Sequence, residues 1–286
     1  MNMRKVYLDH SATTPVNPDV VKAMMPYLTD KFGNASSIHL FGREAKVALE
    51  DARETTAQFI HAQPREIYFN SGGTESNNMA IKGIAWQYQE KGNHIITSKA
   101  EHHAVLRTCE YLKKQGFDVT FLNPDKYGMI HPETVAEAIT DKTILITIMH
   151  VNNEVGTINP IVEIGKIARE HGIVFHSDAV QSFGKLGINV SQVPVDMLSF
   201  SGHKIYGPKG IGGLYIRKGI RLEKFIHGGA HEQNRRAGTE NIPGIIGFAK
   251  AVEICEQEME KDQVNIGNLR DTLFHKLQQQ IPQISL

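Results

Sequence analysis

The amino-acid sequence predicts an α/β protein with a mainly parallel seven-stranded sheet and helices on both faces. Short runs rich in β-branched residues alternate with segments whose apolar residues recur at helical spacing. This alternation is typical of parallel sheets, because each crossover helix returns the chain to the same edge of the sheet. With 286 residues, the chain is long enough for one large domain or two unequal ones.

Seven short apolar runs are predicted to be strands. They are EIYFNS from Glu66, HIITSK from His94, DVTFLN from Asp118, ILITIMH from Ile144, IVFHSDA from Ile173, DMLSFS from Asp196 and GGLYIR from Gly212. The loop between the sixth and seventh runs is glycine-rich and too short for a helical crossover. We therefore expect the seventh strand to be antiparallel to the sixth.

Helical periodicity fills most of the gaps between these strands, and the part before Ala62 has few strand signals. After Gly244, GIIGFAKAVEICEQEMEK predicts a helix with one apolar stripe, and NLRDTLFHKLQQQ predicts a separate last helix. IPQISL is expected to begin a strand. The apolar face of the last helix has no obvious partner in the sequence. Either the large domain covers it, or a small domain is cut off after its first helix.

Composition argues against several classes of function. Hydrophobic residues make up 41% of the chain and charged residues 22%, with a net charge of zero and a pI near 7.3. Proteins that bind nucleic acids or membrane surfaces carry a basic excess. No apolar run approaches a membrane span, the first residues lack a signal-peptide core, and two cysteines do not indicate a disulfide framework. We expect a soluble, cytoplasmic, globular protein with no direct contact to nucleic acid or membrane.

Lys204 lies just after the sixth predicted strand, in SFSGHKIYGPKGIGGLY, where open α/β sheets bind their ligands. A free lysine amine, with a pKa near ~10.4, is mostly a non-nucleophilic ammonium at neutral pH. A covalent role requires partial desolvation or an aldehyde cofactor that holds the amine. An isolated lysine at a strand end is more often a surface charge, so other residues must decide between the two roles.

Two further strand ends carry residues that favour a covalent role for Lys204. Asp178 ends IVFHSDA, beside the strand that precedes Lys204, and a buried carboxylate there needs a cationic partner such as a protonated pyridine nitrogen. A helix-capping role is its alternative. His102 follows HIITSK and can stack on a ring or move protons. A zinc site competes, but HExxH and CxxC are absent and the histidines are scattered; an ordinary loop histidine is the other alternative.

A glycine-containing turn is predicted to form an anion site. In FNSGGTESNN, Gly72 and Gly73 lead a strand into a helix near Thr74, whose free N–H groups suit an anion. Neither the Walker pattern nor the GxGxxG spacing is present, and a simple capping box is the alternative. Taken together, an amine, a carboxylate, a flat ring and a phosphate site at successive strand ends match the needs of pyridoxal 5′-phosphate (PLP).

These residues lie within four of seven longer motifs of the chain. The seven motifs are YLDHSATTP, GGTESNN, EHHAVL, MHVNNEVGT, HSDAVQSFGK, SFSGHKIYGPKGIGGLY and HGGAHEQNRRAGTEN. In sequence and order the motifs resemble the cysteine desulfurases of the IscS/NifS type, from Val6 to at least Gly244. The resemblance implies a homodimeric fold-type-I PLP-dependent transferase that converts L-cysteine to L-alanine. The sulfur would pass through an enzyme persulfide to a sulfur-acceptor or iron–sulfur scaffold protein, for iron–sulfur clusters or thiolated tRNA.

The resemblance also implies roles for individual residues. Lys204 would hold the PLP aldehyde, Asp178 would pair with the pyridine nitrogen, and His102 would stack on the ring and assist proton transfer. The other implied contacts are Gly73, Thr74, Ser201 and His203 with the phosphate, Gln181 with the phenolic oxygen, Asn153 with the cofactor and substrate edge, and Thr239 with the phosphate of the neighbouring subunit. No metal is expected.

Finally, the resemblance divides the chain and raises a question about the sulfur acceptor. Residues 1–15 would belong to a small domain, 16–262 would form the large PLP-binding domain, and 263–286 would begin the rest of the small domain, apparently truncated. In the family, a small-domain cysteine takes the sulfur and an arginine further on binds the substrate carboxylate. Cys109 and Cys255 are instead predicted to be core residues of helices.

We therefore expect a complete cofactor site without a sulfur-acceptor cysteine, and little turnover of cysteine by this chain alone. Two alternatives to a desulfurase stay open. One is another PLP-dependent lyase or aminotransferase on the same fold. The other is a non-catalytic PLP-binding remnant that acts within a sulfur-transfer complex.

Overall fold

The computed structural model describes residues 5–281, 283 and 284. Its helices are α1 (Pro18–Leu28), α2 (Leu40–Phe59), α3 (Gly73–Tyr88), α4 (His103–Lys114), α5 (Pro132–Glu137), α6 (Ile161–Glu170), the single turn α7 (His231–Asn234) and α8 (Ile242–Gln280). Its strands are β1 (Ile67–Asn70), β2 (His94–Ser98), β3 (Asp118–Leu122), β4 (Thr143–Thr147), β5 (Val174–Asp178), β6 (Met197–Ser201) and β7 (Gly212–Ile216).

The seven strands form one sheet in the order β1-β7-β6-β5-β4-β2-β3. β7 pairs antiparallel with β1 and β6, and the other pairings are parallel. The predictions of seven strands and of an antiparallel seventh strand are confirmed. In the register between β5 and β6, Asp178 lies opposite Ser199. The carboxyl ends of these two strands, which carry predicted site residues, are therefore neighbours.

Helices cover both faces of the sheet, which explains why six of the strands are buried along their whole length. On one face α1, α2, α5, α6 and α8 pack against the strands, and the rings of Phe183, Phe200 and Phe248 stack at centroid distances of 4.6 to 5.8 Å. On the other face α3 and α4 contribute a second apolar cluster, which includes Met79 and Cys109. The two clusters pack the central strands from both faces of the sheet.

The carboxyl-terminal region differs from the prediction. The sequence pattern predicted two helices, whereas α8 continues unbroken from Ile242 to Gln280. No proline follows Pro243 within α8, and a glycine such as Gly267 inside a helix costs only about 1 kcal/mol. The described residues of IPQISL form no strand, and Gln283 has a φ of 74°. The remaining residues of that motif, 282, 285 and 286, lie outside the described residues.

The described part of the chain has neither a membrane-spanning helix nor a metal-binding cluster, and its cysteines are unpaired. None of its helices combines the length and apolar character that crossing a lipid bilayer requires. Within the same residues, no cluster of His, Cys, Asp or Glu side chains is arranged to hold a metal ion. Both cysteines are free thiols.

Candidate active site

Nine of the ten predicted site residues meet in one cavity of about 600 Å³ at the carboxyl ends of β5 and β6. The predicted residues that line it are Gly73, Thr74, His102, Asn153, Asp178, Gln181, Ser201, His203 and Lys204. Thr239 does not line this cavity. It lies in a separate groove with Arg236 and Glu240. Residues that are far apart in sequence are thus brought together by the sheet, as strand-end placement predicted.

The Lys204 amine is anchored by an amino-terminal loop. Its Nζ donates hydrogen bonds to the carbonyl oxygens of Ser11 and Ala12, the second at 2.8 Å. Burial lowers the pKa of Lys204, although the nearby charges of Asp178 and Asp9 oppose that shift. Consequently, more of the amine is neutral, and hence nucleophilic, than in an exposed lysine.

Thr14 fixes this amino-terminal loop against the end of β6. Its N–H donates to the carbonyl oxygen of His203 at 3.0 Å, and its hydroxyl donates to the same oxygen at 3.0 Å. The Thr14 hydroxyl also accepts the N–H of Tyr206 at 2.8 Å. Since Tyr206 has a φ of 60°, which non-glycine residues rarely adopt, these bonds hold a strained turn directly after Lys204.

Gln181 connects the amino-terminal loop to a second lysine. Its Nε2 donates to the Ser11 carbonyl at 2.9 Å, and its Oε1 accepts a hydrogen bond from Lys185 Nζ at 3.0 Å. Burial, together with the nearby charge of Lys204, lowers the pKa of Lys185 to about 8. The two hydrogen bonds orient the amide so that its donor side faces Ser11.

Asp178 is a buried carboxylate whose partners are all neutral. Its Oδ1 accepts the Val180 N–H at 2.9 Å, and its Oδ2 accepts Nδ2 of Asn77 at 2.6 Å. Burial raises the pKa of Asp178, against the effect of these two hydrogen bonds. Among the described residues it forms no ion pair. A cationic ligand group beside it would therefore be strongly favoured.

The amino terminus of α3 borders the cavity through two glycines. Gly72 caps the helix with a φ of 140°, and a Cβ atom on Gly73 would lie 2.7 Å from Cγ2 of Val180. The lack of a side chain on Gly73 lets the helix start this close to the loop after β5, and Gly72 adopts a backbone conformation that residues with a side chain rarely adopt. The unpaired N–H groups of a first helical turn favour an anion. Glu75 in that turn forms a 2.8 Å ion pair with Arg236, which offsets its negative charge.

The remaining side chains have defined hydrogen-bond roles. His102 caps α4, and its Nδ1 accepts the Ala104 N–H at 3.0 Å, so the proton of a neutral ring lies on Nε2. His203 Nδ1 lies 3.1 Å from the Thr13 hydroxyl. Burial lowers the pKa of His203, and the nearby charge of Lys204 has a smaller effect in the same direction. Asn153 donates from Nδ2 to Glu154 at 2.8 Å.

Sequence reasoning missed several contributors to the site. Ser11 and Ala12 act through backbone carbonyls, which composition does not reveal. Asn77 and Lys185 stand inside the motifs GGTESNN and HSDAVQSFGK, but no spacing rule sets them apart from their neighbours. Glu101 is also buried: it accepts the Met149 N–H at 2.8 Å, and burial raises its pKa to about 8.

The two cysteines lie in different environments. Cys109 is fully buried, as predicted, whereas Cys255 is only half-buried at the edge of the core. Burial raises the pKa of both thiols to about 12. Neither sulfur therefore carries much thiolate at neutral pH.

Comparison with known proteins gives this fold and site a family. The family described as Aminotransferase class-V matches residues 6–286. The chain belongs to this family. A cysteine desulfurase IscS of Dictyoglomus turgidum is 54% identical to it over 283 residues, which are 99% of this chain and 72% of the relative.

Solved structures agree with that assignment. A NifS-like protein has a TM-score of 0.94 at 39% identity, over 96% of this chain and 76% of its own. The structure titled SspA in complex with cysteine has a TM-score of 0.85 at 49% identity, over 87% of this chain and 72% of its own. The predicted resemblance to IscS/NifS-type cysteine desulfurases and the fold-type-I assignment are confirmed.

The residues present fit PLP, the cofactor of this family. Lys204 supplies an amine with a lowered pKa, and the glycine-bounded start of α3 supplies an anion site. Asp178 supplies a carboxylate without a cationic partner in the described chain, and the neighbouring Oδ1 of Asn77 is buried without a hydrogen-bond donor. A positively charged ring N–H would satisfy that part of the cavity.

Proposed function

We propose that this protein is a PLP-dependent cysteine desulfurase. It would convert L-cysteine to L-alanine and pass the sulfur to an acceptor or iron–sulfur scaffold protein in the cytoplasm, for iron–sulfur cluster or thiolated tRNA synthesis. One observation carries the proposal. Lys204, Asp178 and His102 converge on a single cavity in a chain that is 54% identical, over 99% of its length, to a cysteine desulfurase.

The proposed roles follow from the contacts already described. When bound, PLP supplies an electrophilic aldehyde and a ring that accepts electrons. Lys204 would hold the aldehyde, and Asp178 would receive the ring N–H. The phosphate would contact Gly73, Thr74, Ser201 and His203, the phenolic oxygen would contact Gln181, and the cofactor edge would contact Asn153.

Proton transfer falls to two of these side chains. The lowered pKa of Lys204 suits its Nζ to take a proton from the substrate carbon and return one. His102 offers Nε2, since its Nδ1 is engaged by the Ala104 N–H. The backbone carbonyls of Ser11 and Ala12 would hold the Lys204 ammonium whenever the amine is free of the cofactor.

Borohydride reduction of the PLP-loaded protein tests the assignment of Lys204. Mass spectrometry of the digest should find a pyridoxyl group on Lys204, and Lys204→Ala should abolish the label while PLP still binds non-covalently. With L-cysteine, the desulfurase predicts alanine as the carbon product. Transfer of the amino group to an oxo acid would favour an aminotransferase, and binding of PLP without any reaction would favour the non-catalytic alternative. A label at another lysine would contradict the assignment.

We also propose a homodimer in which Thr239 reaches the phosphate of the partner. Thr239 is exposed and lies outside its own cavity, next to Gly238, whose φ is 109°. A two-fold axis would place one such turn at each site. Analytical ultracentrifugation should show a dimer, and Thr239→Val should weaken PLP binding. A monomer that binds PLP with the same affinity would contradict this arrangement.

A further inference from the structure

Asn77 uses only half of the hydrogen-bonding capacity of its amide. It lies on α3, is 1% exposed and lines the cavity. Its Nδ2 donates to Asp178 Oδ2 at 2.6 Å, while its Oδ1 is buried and has no donor among the described residues. A buried amide oxygen without a partner is unfavourable, so such an atom beside a cavity indicates where a ligand donor belongs.

The orientation of this amide is determined by its neighbour. With the amide reversed, Oδ1 would face the Asp178 oxygen at 2.6 Å, and two acceptors would repel one another. The NH2 group must therefore point to the carboxylate, which leaves Oδ1 for another donor. Asn77 also lies four residues after Gly73, on the same face of α3, and this face borders the cavity.

Asp178 depends on Asn77 for its own orientation. Its Oδ1 is held by the Val180 N–H, and Asn77 supplies the hydrogen bond to Oδ2. Because no cation in the described chain pairs with Asp178, these two contacts fix the plane of the carboxylate. Without Asn77, the Oδ2 side would lose its donor and the carboxylate could rotate about χ2.

We propose that Asn77 is a positioning residue for Asp178 and that its Oδ1 is a second acceptor for the N–H of a planar, cationic ring bound in the cavity. The proposal rests on the proposed function, in which that ring is the pyridine of PLP. It assigns to one amide two tasks: one hydrogen bond orients the carboxylate, and one acceptor adds to the recognition of the ring nitrogen. Asn77 acts on the cofactor ring and needs no contact with the substrate.

A ligand that lacks the ring nitrogen separates this role from simple packing. The dissociation constants of PLP and of deaza-PLP, in which CH replaces the ring nitrogen, would be measured by absorbance titration of the apoprotein. Asn77→Leu should weaken PLP binding by roughly 10- to 100-fold, as loss of hydrogen bonds to a charged group does. It should change deaza-PLP binding by less than about 3-fold, since a ring without N–H gains nothing from the acceptor pair.

Asn78 provides a matched control. It is the adjacent amide on α3, but it is only half-buried and donates to the Thr74 carbonyl at 3.0 Å. Asn78→Leu should alter the binding of both ligands by less than about 3-fold. If Asn77→Leu does not fold, Asn77→Ala replaces it, because alanine is the residue best tolerated in helices.

Each result has a separate meaning. Equal losses for PLP and deaza-PLP in the Asn77 variant would overturn the proposal and reduce Asn77 to a packing residue. Unchanged PLP affinity in that variant would overturn it as well. If the wild-type protein binds the two ligands equally, the pairing of Asp178 with the ring nitrogen is wrong, and failure then lies with the proposed function rather than with Asn77 alone.

Discussion

Two buried carboxylates of this protein, Glu232 and Asp178, differ in the partners they have. Glu232 forms a bidentate pair with Arg53, at 2.8 Å for each hydrogen bond, and accepts the Phe69 N–H at 2.7 Å. Asp178 is equally buried but has only neutral donors, Val180 and Asn77. This difference in partners separates a carboxylate with a structural role from one with a ligand-binding role. A fully paired buried charge holds the fold together, whereas a buried charge without a counter-ion marks a place for a ligand.

The paired carboxylate holds a strained turn in place. Glu232, Gln233 and Asn234 have φ values of 44°, 53° and 65°, so three successive non-glycine residues adopt the left-handed conformation. Each such residue costs about 1 kcal/mol or more and persists only when its surroundings impose it. The turn continues into Arg236, which pairs with Glu75 in the first turn of α3. The Arg53–Glu232 pair thus positions the segment that carries Thr239.

The largest expected effect is on stability. Arg53→Met leaves Glu232 buried without a cation and should lower the free energy of unfolding by about 3–5 kcal/mol. The double variant Arg53→Met/Glu232→Leu removes both charges and should recover most of that loss. Urea unfolding of the apoprotein measures both values.

An exposed ion pair provides the control for this experiment. Arg107 and Glu110 lie 2.7 Å apart with 70% and 45% of their side chains exposed. Arg107→Met should cost less than about 1 kcal/mol. If Arg53→Met proves as mild as Arg107→Met, or if the double variant is no more stable than the single one, the contrast between the two carboxylates does not hold.

A third buried carboxylate, Glu101, should make the stability of the protein depend on pH. We expect this effect to be intermediate in size between the effects of the Arg53 and the cysteine variants. Burial raises the pKa of Glu101 to about 8 in the folded state, above the usual 4.5. Between those values the native protein holds a proton that the unfolded chain releases, so the contribution of Glu101 to stability should fall as the pH rises from 6 to 8. Glu101→Gln removes this dependence, and the difference between the two proteins should change by about 2 kcal/mol over that range.

Other buried groups change the stability of both proteins alike, so their effects cancel in the difference between wild type and Glu101→Gln. Burial lowers the pKa of His150 to about 4 and that of His176 to about 3, so their contribution to stability is lost below the ordinary histidine pKa of about 6.5. Lys185, with a pKa of about 8, changes stability mainly above pH 8. The difference in urea midpoint between wild type and Glu101→Gln at pH 6, 7 and 8 therefore isolates Glu101. Parallel pH profiles for the two proteins would mean that Glu101 is ionised in the native state.

Features that depend on local sequence patterns could be predicted from the sequence, whereas contacts between residues distant in sequence could not. Strands such as IVFHSDA are recognisable locally, and their shared sheet edge places Asp178 near Lys204 without further information. The Arg53–Glu232 pair joins residues 179 positions apart, and no local sequence pattern predicts it. The continuity of α8 was missed because the polar segment between its two apolar stripes resembles a loop. Asn77 required the three-dimensional contact with Asp178 to distinguish it from Asn78.

The smallest expected effect concerns the two cysteines. A thiol with a pKa of about 12 is ionised in roughly one molecule in 10,000 at pH 8, and sulfur transfer requires a thiolate. Cys109 is also fully buried and does not line the cavity, whereas Cys255 is half-buried beside Lys185. Cys109→Ala and Cys255→Ser should therefore leave alanine and sulfide formation from L-cysteine, measured with dithiothreitol, within about 2-fold of wild type. Loss of sulfide in Cys255→Ser alone would identify Cys255 as the acceptor, and would show that the protein lowers the pKa of a half-buried thiol when substrate binds.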